Sequence, residues 1–521
     1  MRSGRYLIKT PKNMSKYETI IGLEVHVQLK TKSKMFCGCD NSGDDKPPNT
    51  TVCPICLGHP GTLPVANQDA IMWGVRSALA IGCEIPVISK FDRKHYFYPD
   101  LAKGYQISQF DQPVGVTGKL EVTLEDGTKS VVRINRLHLE EDAAKLTHSD
   151  KGSFVDYNRA GTPLMEIVSE PDIKSAEEAK AYLQELRAIM RYLDVSDADM
   201  EKGHLRCDAN ISLRPIDDED QRFYPKTEIK NLNSFRSVER AIKYEVARQT
   251  DLWEEDQAPS ITTTRGWNDT EQKTEEQRTK EEAADYRYFP EPDLPPLHFG
   301  YDLDEEAKKA GVIDIRYLES RIPELPGKKR ERFEREYGLV GSDLNTILYD
   351  RELAGYFDQV VSELQDWAHN RDDIDWDKEK TALIKSASGW LTSKLLKILV
   401  DEGLSIADTK VNAENFAEMM TMLHKGEINS SVGQKVLMKM HETGGDPSNI
   451  VQDNNWGQMS DAGELEAVLN KVVAAHPGPV SDYQSGKENA LQFLVGMVMR
   501  ETQGKANPQT VADLLKEKLT S

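Results

Sequence analysis

Gly22-Leu23-Glu24-Val25-His26-Val27-Gln28 is the stretch on which the reading of this chain turns. Around it Ile20, Leu23, Val25, Val27 and Leu29 supply the apolar, largely β-branched run of a strand, and counting by twos from Gly22 sets Glu24, His26 and Gln28 on one face. A carboxylate and an imidazole two residues apart on a strand can share a metal ion or exchange a proton. Taken alone, the pattern is also that of a half-exposed strand with a solvated polar face, which is the plainer reading of these seven residues.

The cysteines that follow shift the balance. Cys37-Gly38-Cys39 and Cys53-Pro54-Ile55-Cys56 place four of the six cysteines within twenty residues, as CxC, a thirteen-residue gap and CxxC. Two such knuckles have the spacing to grip one tetrahedral Zn²⁺ through four thiolates at roughly 2.3 Å. The alternatives are a redox CxxC or a disulfide pair. A disulfide framework belongs to short secreted chains, and a lone redox CxxC has no need of the CxC partner. Structural zinc on Cys37, Cys39, Cys53 and Cys56 is the expectation, with every sulfur used and no open position for catalysis.

At 521 residues, with 66 Lys+Arg against 87 Asp+Glu and a net charge of −21, the chain is long for one core and too acidic for whole-surface attraction to phosphates. A nucleic-acid partner must therefore be held by local basic or aromatic patches. Mean hydropathy is −0.59, and no apolar run is long enough to span a bilayer, so no membrane role is expected. Residues 1–16 carry Arg2, Arg5, Lys9, Lys12 and Lys16 with no acid, which leaves open a transit peptide or a start at Met14. The protein is expected in the cytoplasm, and in an organelle only if that segment is a transit peptide.

Further along, Ile71, Val75, Ala78 and Leu79 recur at helical spacing between Asn67 and Ile81. Lys90 to Phe110 holds six aromatics in twenty-one residues of a chain that is 7% aromatic, interleaved with Lys90, Arg93, Lys94, His95 and Lys103. This mix stacks bases and neutralises phosphates, or else staples a loop. A hairpin turning at Glu125-Asp126-Gly127 leads into Leu139-Glu140-Glu141-Asp142, and Glu166 lies in the apolar run from Gly161 to Val168. Ser175 and Glu178 predict a capping box for a helix with Tyr182, Leu183, Leu186, Ile189 and Met190 on its apolar face. A cleaner strand follows, with Leu205, Cys207, Ala209, Ile211 and Leu213 facing one way and His204, Arg206, Asp208, Asn210 and Ser212 the other.

Residues 251–285 hold eleven acids against four bases, which predicts a loop or solvated hairpin. Pro290, Pro292, Pro295 and Pro296 precede the first domain boundary. Helical periodicity dominates beyond residue 300, including a stripe from Leu383 to Leu399 that Gly403 is placed to stop, and a second break falls near Asp408–Asn412. No Gly-Lys pair is followed by the Ser or Thr that a P-loop needs, and no GxSxG elbow supplies a nucleophile.

The runs Gly22–His26, Lys90–Asp100, Tyr105–Phe110 and Arg206–Asn210, the segment Asp285-Tyr286-Arg287-Tyr288-Phe289-Pro290-Glu291-Pro292-Asp293, and the C-terminal Phe493–Gly496 and Gly504–Pro508 closely resemble the B-subunit family of aspartyl/glutamyl-tRNA amidotransferases. The resemblance runs from about Tyr17 to the end of the chain. It implies an α+β protein. An extension over 1–16 is followed by an N-terminal cradle domain over 17–300, with a β-sheet core and the zinc knuckle. A helical domain over 301–410 and a small all-α tail domain over 411–521, which contacts tRNA, complete it.

The activity the resemblance implies is ATP- and Mg²⁺-dependent phosphorylation of the side-chain carboxylate of Glu-tRNA(Gln) or Asp-tRNA(Asn), followed by amidation. Ammonia comes from a separate amidase (A) subunit in a heterotrimer completed by a small C subunit, which fits the missing nucleophile. The family's Mg²⁺ ligands carry over as Glu24, His26, Glu141 and Glu166, a hard, anionic set suited to that ion. Lys94, Tyr96, Tyr98, Gln106, Ser108, Arg206, Asp208 and Asn210 are expected to contact substrate or nucleotide, and Lys487, Arg500 and Lys505 to contact tRNA. Zinc cysteines occur in only part of the family, so that expectation rests on spacing. The competing expectation is a non-catalytic, zinc-containing adaptor that holds tRNA for a partner, its carboxylates merely structural.

Overall fold

The alternation expected of Tyr17–Gln28 is realised: Leu23, Val25 and Val27 are fully buried, while Glu24, His26 and Gln28 are half-buried on the opposite face. The structure, a computed structural model, describes residues 16–43, 45–279, 286–457, 462–502, 505–506 and 508–520. The basic extension through residue 15, Asp285, Gly504 and Asn507 lie outside the described residues. The chain divides into two compact units, 1–329 and 330–521.

The strands of the first unit are β1 (Tyr17–Gln28), β2 (Ile88–Ser89), β3 (Asp92–His95), β4 (Tyr105–Ser108), β5 (Gly115–Thr123), β6 (Lys129–Glu141), β7 (Lys145–Ser149), β8 (Gly152–Asp156), β9 (Pro163–Ser169), β10 (Leu205–Pro215), β11 (Thr227–Leu232), β12 (Thr263–Asn268), β13 (Lys273–Thr279), β14 (Arg287–Pro290), β15 (Leu297–Gly300) and β16 (Ile313–Asp314). Eight of them form one sheet in the order β13-β12-β11-β10-β1-β9-β6-β5, antiparallel except where β11 meets β12. β1 thus has β10 on one side and β9 on the other.

One face of this sheet is covered by helices α1 (Gln68–Ala80), α2 (Ala176–Tyr192) and α3 (Phe235–Glu254). Each starts on a side chain that accepts an otherwise orphaned amide: Asn67 from Ala70 N, Ser175 from Glu178 N and Ser234 from Ser237 N. In α2 the return half of the expected capping box is displaced, since Glu178 accepts from Lys174 N (2.7 Å), one residue ahead of the cap. Tyr182, Leu183, Leu186 and Met190 of α2 join Leu23, Val25, Val27, Leu139 and Met165 in a single core, all without solvent exposure. Burying each such side chain contributes about 2 kcal/mol, so the covered face orients the whole sheet and leaves the other face open.

A small sheet of order β14-β3-β4 joins residues nearly two hundred apart, pairing Arg93 with Phe289. β4 docks along the end of β6 through side chains: Gln109 accepts from Leu139 N, and Gln106 donates to the Glu141 carbonyl. The acidic stretch after residue 251 contains the β12–β13 hairpin, which extends the large sheet. Phe299, Ile315 and Leu318 pack into the same core, so the first unit continues past the proline cluster to Lys329.

The second unit is helical. Leu383, Ala387, Leu391, Leu395 and Leu399 form the buried stripe, and Gly403 ends it in the left-handed conformation at φ 70°. The helix Ala413–His424 packs on Arg351–His369, whereas Leu469, Leu494, Val498, Val511 and Leu515 make a separate core in the last helices. Among the described residues, no helix is long and apolar enough to cross a membrane.

Candidate cation and phosphate site on the open face of the sheet

The register of the sheet gathers the chemistry. β1 sets His26 opposite Glu166 of β9, and β9 sets Glu166 opposite His138 of β6. On the other side of β1, His26 lies opposite Arg206 and Glu24 opposite Asp208 of β10. Paired residues share a face, so these groups stand together on the open side.

His26 Nε2 lies 3.4 Å from Glu166 Oε2 and 3.7 Å from Glu140 Oε1, and one donor atom from each of the three residues lies within 4.8 Å of the others. Neighbouring donors around an ion bonded at about 2.1 Å stand roughly 3 Å apart, so this imidazole and two carboxylates fit a small divalent cation. His138 approaches the same carboxylates, 3.2 Å from Glu166 and 3.6 Å from Glu140. Burial opposes charge on both imidazoles, but the carboxylates outweigh it: His26 is raised, and His138 is pushed up to about 9. Burial likewise opposes ionisation of Glu166, and the two histidines still hold it well below the usual carboxylate range.

Glu141 is not part of this cluster. Its side chain pairs with Lys103 and accepts from Ile107 N (2.9 Å), on the side of the sheet occupied by Cys37, Cys56 and Phe36. The cause is a β-bulge in β6 between Ile134 and Arg136. Before it Val132 and Ile134 face the core; after it Leu137 and Leu139 do, and His138 and Glu140 take the open face. Glu24 also stands apart, two positions along β1, where Asn210 donates to it (2.9 Å).

The other expected contacts are distributed unevenly. Ser108 donates to Glu140 (3.0 Å) and so orients a member of the cluster. Burial opposes charge on Lys94, but Glu140 and Glu166 outweigh it and raise its pKa; its ammonium stands 4.8 Å from the centre of the Tyr286 ring. Tyr96 meets the same ring edge-on. Arg206 donates to Asp142 (2.6 Å), and Asp208 accepts from Lys230 (2.7 Å). Gln106 is buried in a backbone contact, and Tyr98 is exposed. In the second unit Lys487 pairs with Asp482, and Arg500 is exposed at the end of its helix. Glu140 and Asp142, read from the sequence only as acids beside a strand, and His138 were not among the expected site residues. Their signal is the alternation His138-x-Glu140-x-Asp142, which mirrors Glu24-x-His26-x-Gln28.

The four clustered cysteines converge as their spacing predicts. None is in a disulfide, and one sulfur from each lies within 4.8 Å of the rest, Cys53 and Cys56 being 3.9 Å apart. Tetrahedral ligands at about 2.3 Å stand roughly 3.8 Å apart, so the set fits zinc. The thiol hydrogen bond between Cys37 and Cys56, together with burial, drives the Cys37 thiol up. The same bond, with the Lys34 ammonium 4.0 Å away, draws Cys56 down to about 5 despite burial. Four crowded sulfurs beside a fully buried lysine are poised to release protons to water as a cation binds in their place.

An open sheet face that sets a carboxylate–imidazole cluster near Lys94 and Arg206 has the ligand atoms and positive charge that a divalent cation and phosphates would need. Residues 19–304 match the family described as the GatB/GatE catalytic domain, and residues 377–519 match one described as the GatB domain. The chain belongs to the GatB/GatE family. Over nearly its whole length it is similar to proteins named as the B subunit of aspartyl/glutamyl-tRNA(Asn/Gln) amidotransferase. It is 44% identical to that of Carboxydothermus hydrogenoformans, covering 97% of this chain and 99% of the relative. Identity is 46% to that of Brevibacillus brevis (98% and 100% covered) and 43% to that of Thermotoga maritima (97% and 99%).

Proposed function

We propose that this chain is the B subunit of a tRNA-dependent amidotransferase in the cytoplasm, working with an amidase (A) subunit and a small C subunit. In this reading the side-chain carboxylate of Glu-tRNA(Gln) or Asp-tRNA(Asn) takes the terminal phosphoryl group of ATP, releasing ADP. Ammonia then attacks the acyl carbon, phosphate leaves, and Gln-tRNA(Gln) or Asn-tRNA(Asn) is formed. A free carboxylate resists attack by ammonia, and phosphorylation supplies the leaving group.

The observation that carries the reading is the convergence of His26, Glu140 and Glu166 from three neighbouring strands onto one open face. Those residues would hold Mg²⁺, which when bound offsets charge on the transferring phosphoryl group. Ser108 fixes the Glu140 carboxylate, and Glu166 is held between two imidazoles. Lys94 and Arg206 bring positive charge beside the cluster, Arg206 being steadied by Asp142. Cys37, Cys39, Cys53 and Cys56 would hold a structural zinc that cross-links the loop after β1.

The test uses the reconstituted A–B–C complex supplied with ammonium, which bypasses the glutaminase. Glu140→Gln and Glu166→Gln should each cut ATP-dependent conversion of Glu-tRNA(Gln) severely while leaving tRNA affinity nearly unchanged. An adaptor predicts near wild-type conversion by both variants, and that result would reject the catalytic reading.

A further inference from the structure

Lys34 has no solvent exposure, and among the described residues no carboxylate lies within ion-pair distance of it. Its ammonium carries three donors and reaches two partners, the Tyr157 carbonyl at 3.3 Å and Cys56 Sγ at 4.0 Å. One neutral carbonyl does not offset a fully buried positive charge, so the charge answers to the sulfurs. Nor does packing call for a lysine. The stem runs beside Gly161, where a Cβ would stand 3.4 Å from Lys34 Cδ, and an unbranched apolar side chain such as methionine would fill that space as well.

The cysteine cluster has a charge to be met. Four thiolates around one Zn²⁺ leave two negative charges, and two of the sulfurs, those of Cys37 and Cys56, belong to buried residues. Water can solvate the half-exposed Cys39 and Cys53, but the buried pair depends on the protein. Cys56 receives the Cys53 amide at 3.2 Å, and the Lys34 ammonium adds a full positive charge beside the same sulfur. Lys34 is itself fixed in the first knuckle, where its N donates to the Cys39 carbonyl (3.0 Å) and Met35 N donates to the Gly161 carbonyl (2.7 Å). The turn that delivers Cys37 and Cys39 thus delivers the ammonium too. We infer that Lys34 is a positioning residue of the metal centre, which cancels half of its excess negative charge and holds the Cys56 thiolate in place without touching the metal. The inference rests on the zinc reading of the four cysteines and adds the residue that matches their charge.

The experiment uses the full chain with two metals, zinc for affinity and iron for a redox readout. Lys34→Gln can still donate to a carbonyl but carries no charge, and Lys34→Arg keeps the charge. Zinc affinity, measured by competition with a chromogenic chelator, should fall roughly 10–100-fold in Lys34→Gln and stay near wild type in Lys34→Arg. Iron on the same four cysteines leaves one excess negative charge when ferric and two when ferrous, so a nearby positive charge favours the reduced form. The reduction potential should therefore move to more negative values in Lys34→Gln and hold in Lys34→Arg. Chain stripped of metal should melt no lower in Lys34→Gln than in wild type, because the ammonium then has no metal-bound thiolates to answer. Wild-type zinc affinity and iron potential in Lys34→Gln would overturn the role of the lysine and leave the zinc reading standing. A melting temperature lowered equally with and without metal, at an unmoved potential, would mark the lysine as packing and overturn it likewise. A wild-type chain that binds neither zinc nor iron would overturn both.

Discussion

Replacing Lys103 by Met tests whether Glu141 is structural rather than part of the cation cluster. Glu141 is 4% exposed and has two hydrogen-bond donors, the Lys103 ammonium and Ile107 N. Lys103→Met leaves a buried carboxylate with one neutral donor, a loss that costs about 3–5 kcal/mol where burial is deep. The pair borders a groove, so the low end, about 3 kcal/mol, is expected. Adding Glu141→Gln removes the stranded charge while its amide oxygen still accepts from Ile107 N, so the double variant should lose only about 1 kcal/mol. Urea titration read by hydrogen exchange at β4 and β6 reports the first unit separately. Costs that simply add in the double variant would refute the placement, because then the two side chains are not coupled.

Three other outcomes follow from named groups. Protein prepared without chelator should hold about one zinc per chain by elemental analysis, and Cys37→Ser with Cys56→Ser should lose it and lower the first unit's melting temperature. Metal-free wild-type protein would contradict this. In the second unit, burial and the Asp446 carboxylate push Glu418 up to about 7. A raised acid favours the folded state only while protonated, so stability should fall as pH rises from about 4.5 through 7. Glu418→Gln should be more stable at pH 8, by on the order of 1–2 kcal/mol after solvent screening, and equal to wild type near pH 4.5. Identical pH profiles for the two would discount the shift. Finally, ending the chain after Gly457 removes Lys487, Arg500, Lys505 and the separate C-terminal core while sparing the helix Ala413–His424. Affinity for tRNA should drop with a shallower salt dependence, and an unchanged affinity would clear these residues of that role.

The parts of the molecule legible in its sequence are those where one local period runs uninterrupted. β1 and β10 alternate without a break along the residues that carry Glu24, His26, Arg206 and Asn210, so their faces could be assigned by counting. Cysteine spacing likewise encodes its own geometry, since CxC and CxxC turn sulfurs toward a common point. β6 defeats counting because its bulge reverses parity halfway, so that Glu140 stands on the open face and Glu141, which the family resemblance offered as a ligand, on the other. Family motifs name neighbouring residues but do not carry that parity. The β14-β3-β4 sheet was hidden for another reason: four-residue polar strands carry little periodicity, and their pairing spans the chain from Arg93 to Phe289. Residues 301–329 looked helical and separate because only Ile315 and Leu318 of that stretch are buried in the core, with Ile313, Ile322 and Leu325 half-buried against it, and their spacing does not announce the core they join.

The central claim is that His26, Glu140 and Glu166 serve phosphoryl transfer to the aminoacyl group, and the most direct measurement withholds ammonia. The complex is mixed with [γ-32P]ATP, Mg²⁺ and Glu-tRNA(Gln) without glutamine or ammonium and quenched in acid, and label on the aminoacyl-tRNA is counted. Wild-type complex should transfer label to the tRNA-bound glutamate and release ADP in step with it, while Glu140→Gln and Glu166→Gln leave the tRNA unlabelled. Labelling by those variants at the wild-type rate, or a wild-type complex that leaves the tRNA unlabelled here yet forms amide once ammonium is added, would contradict the account.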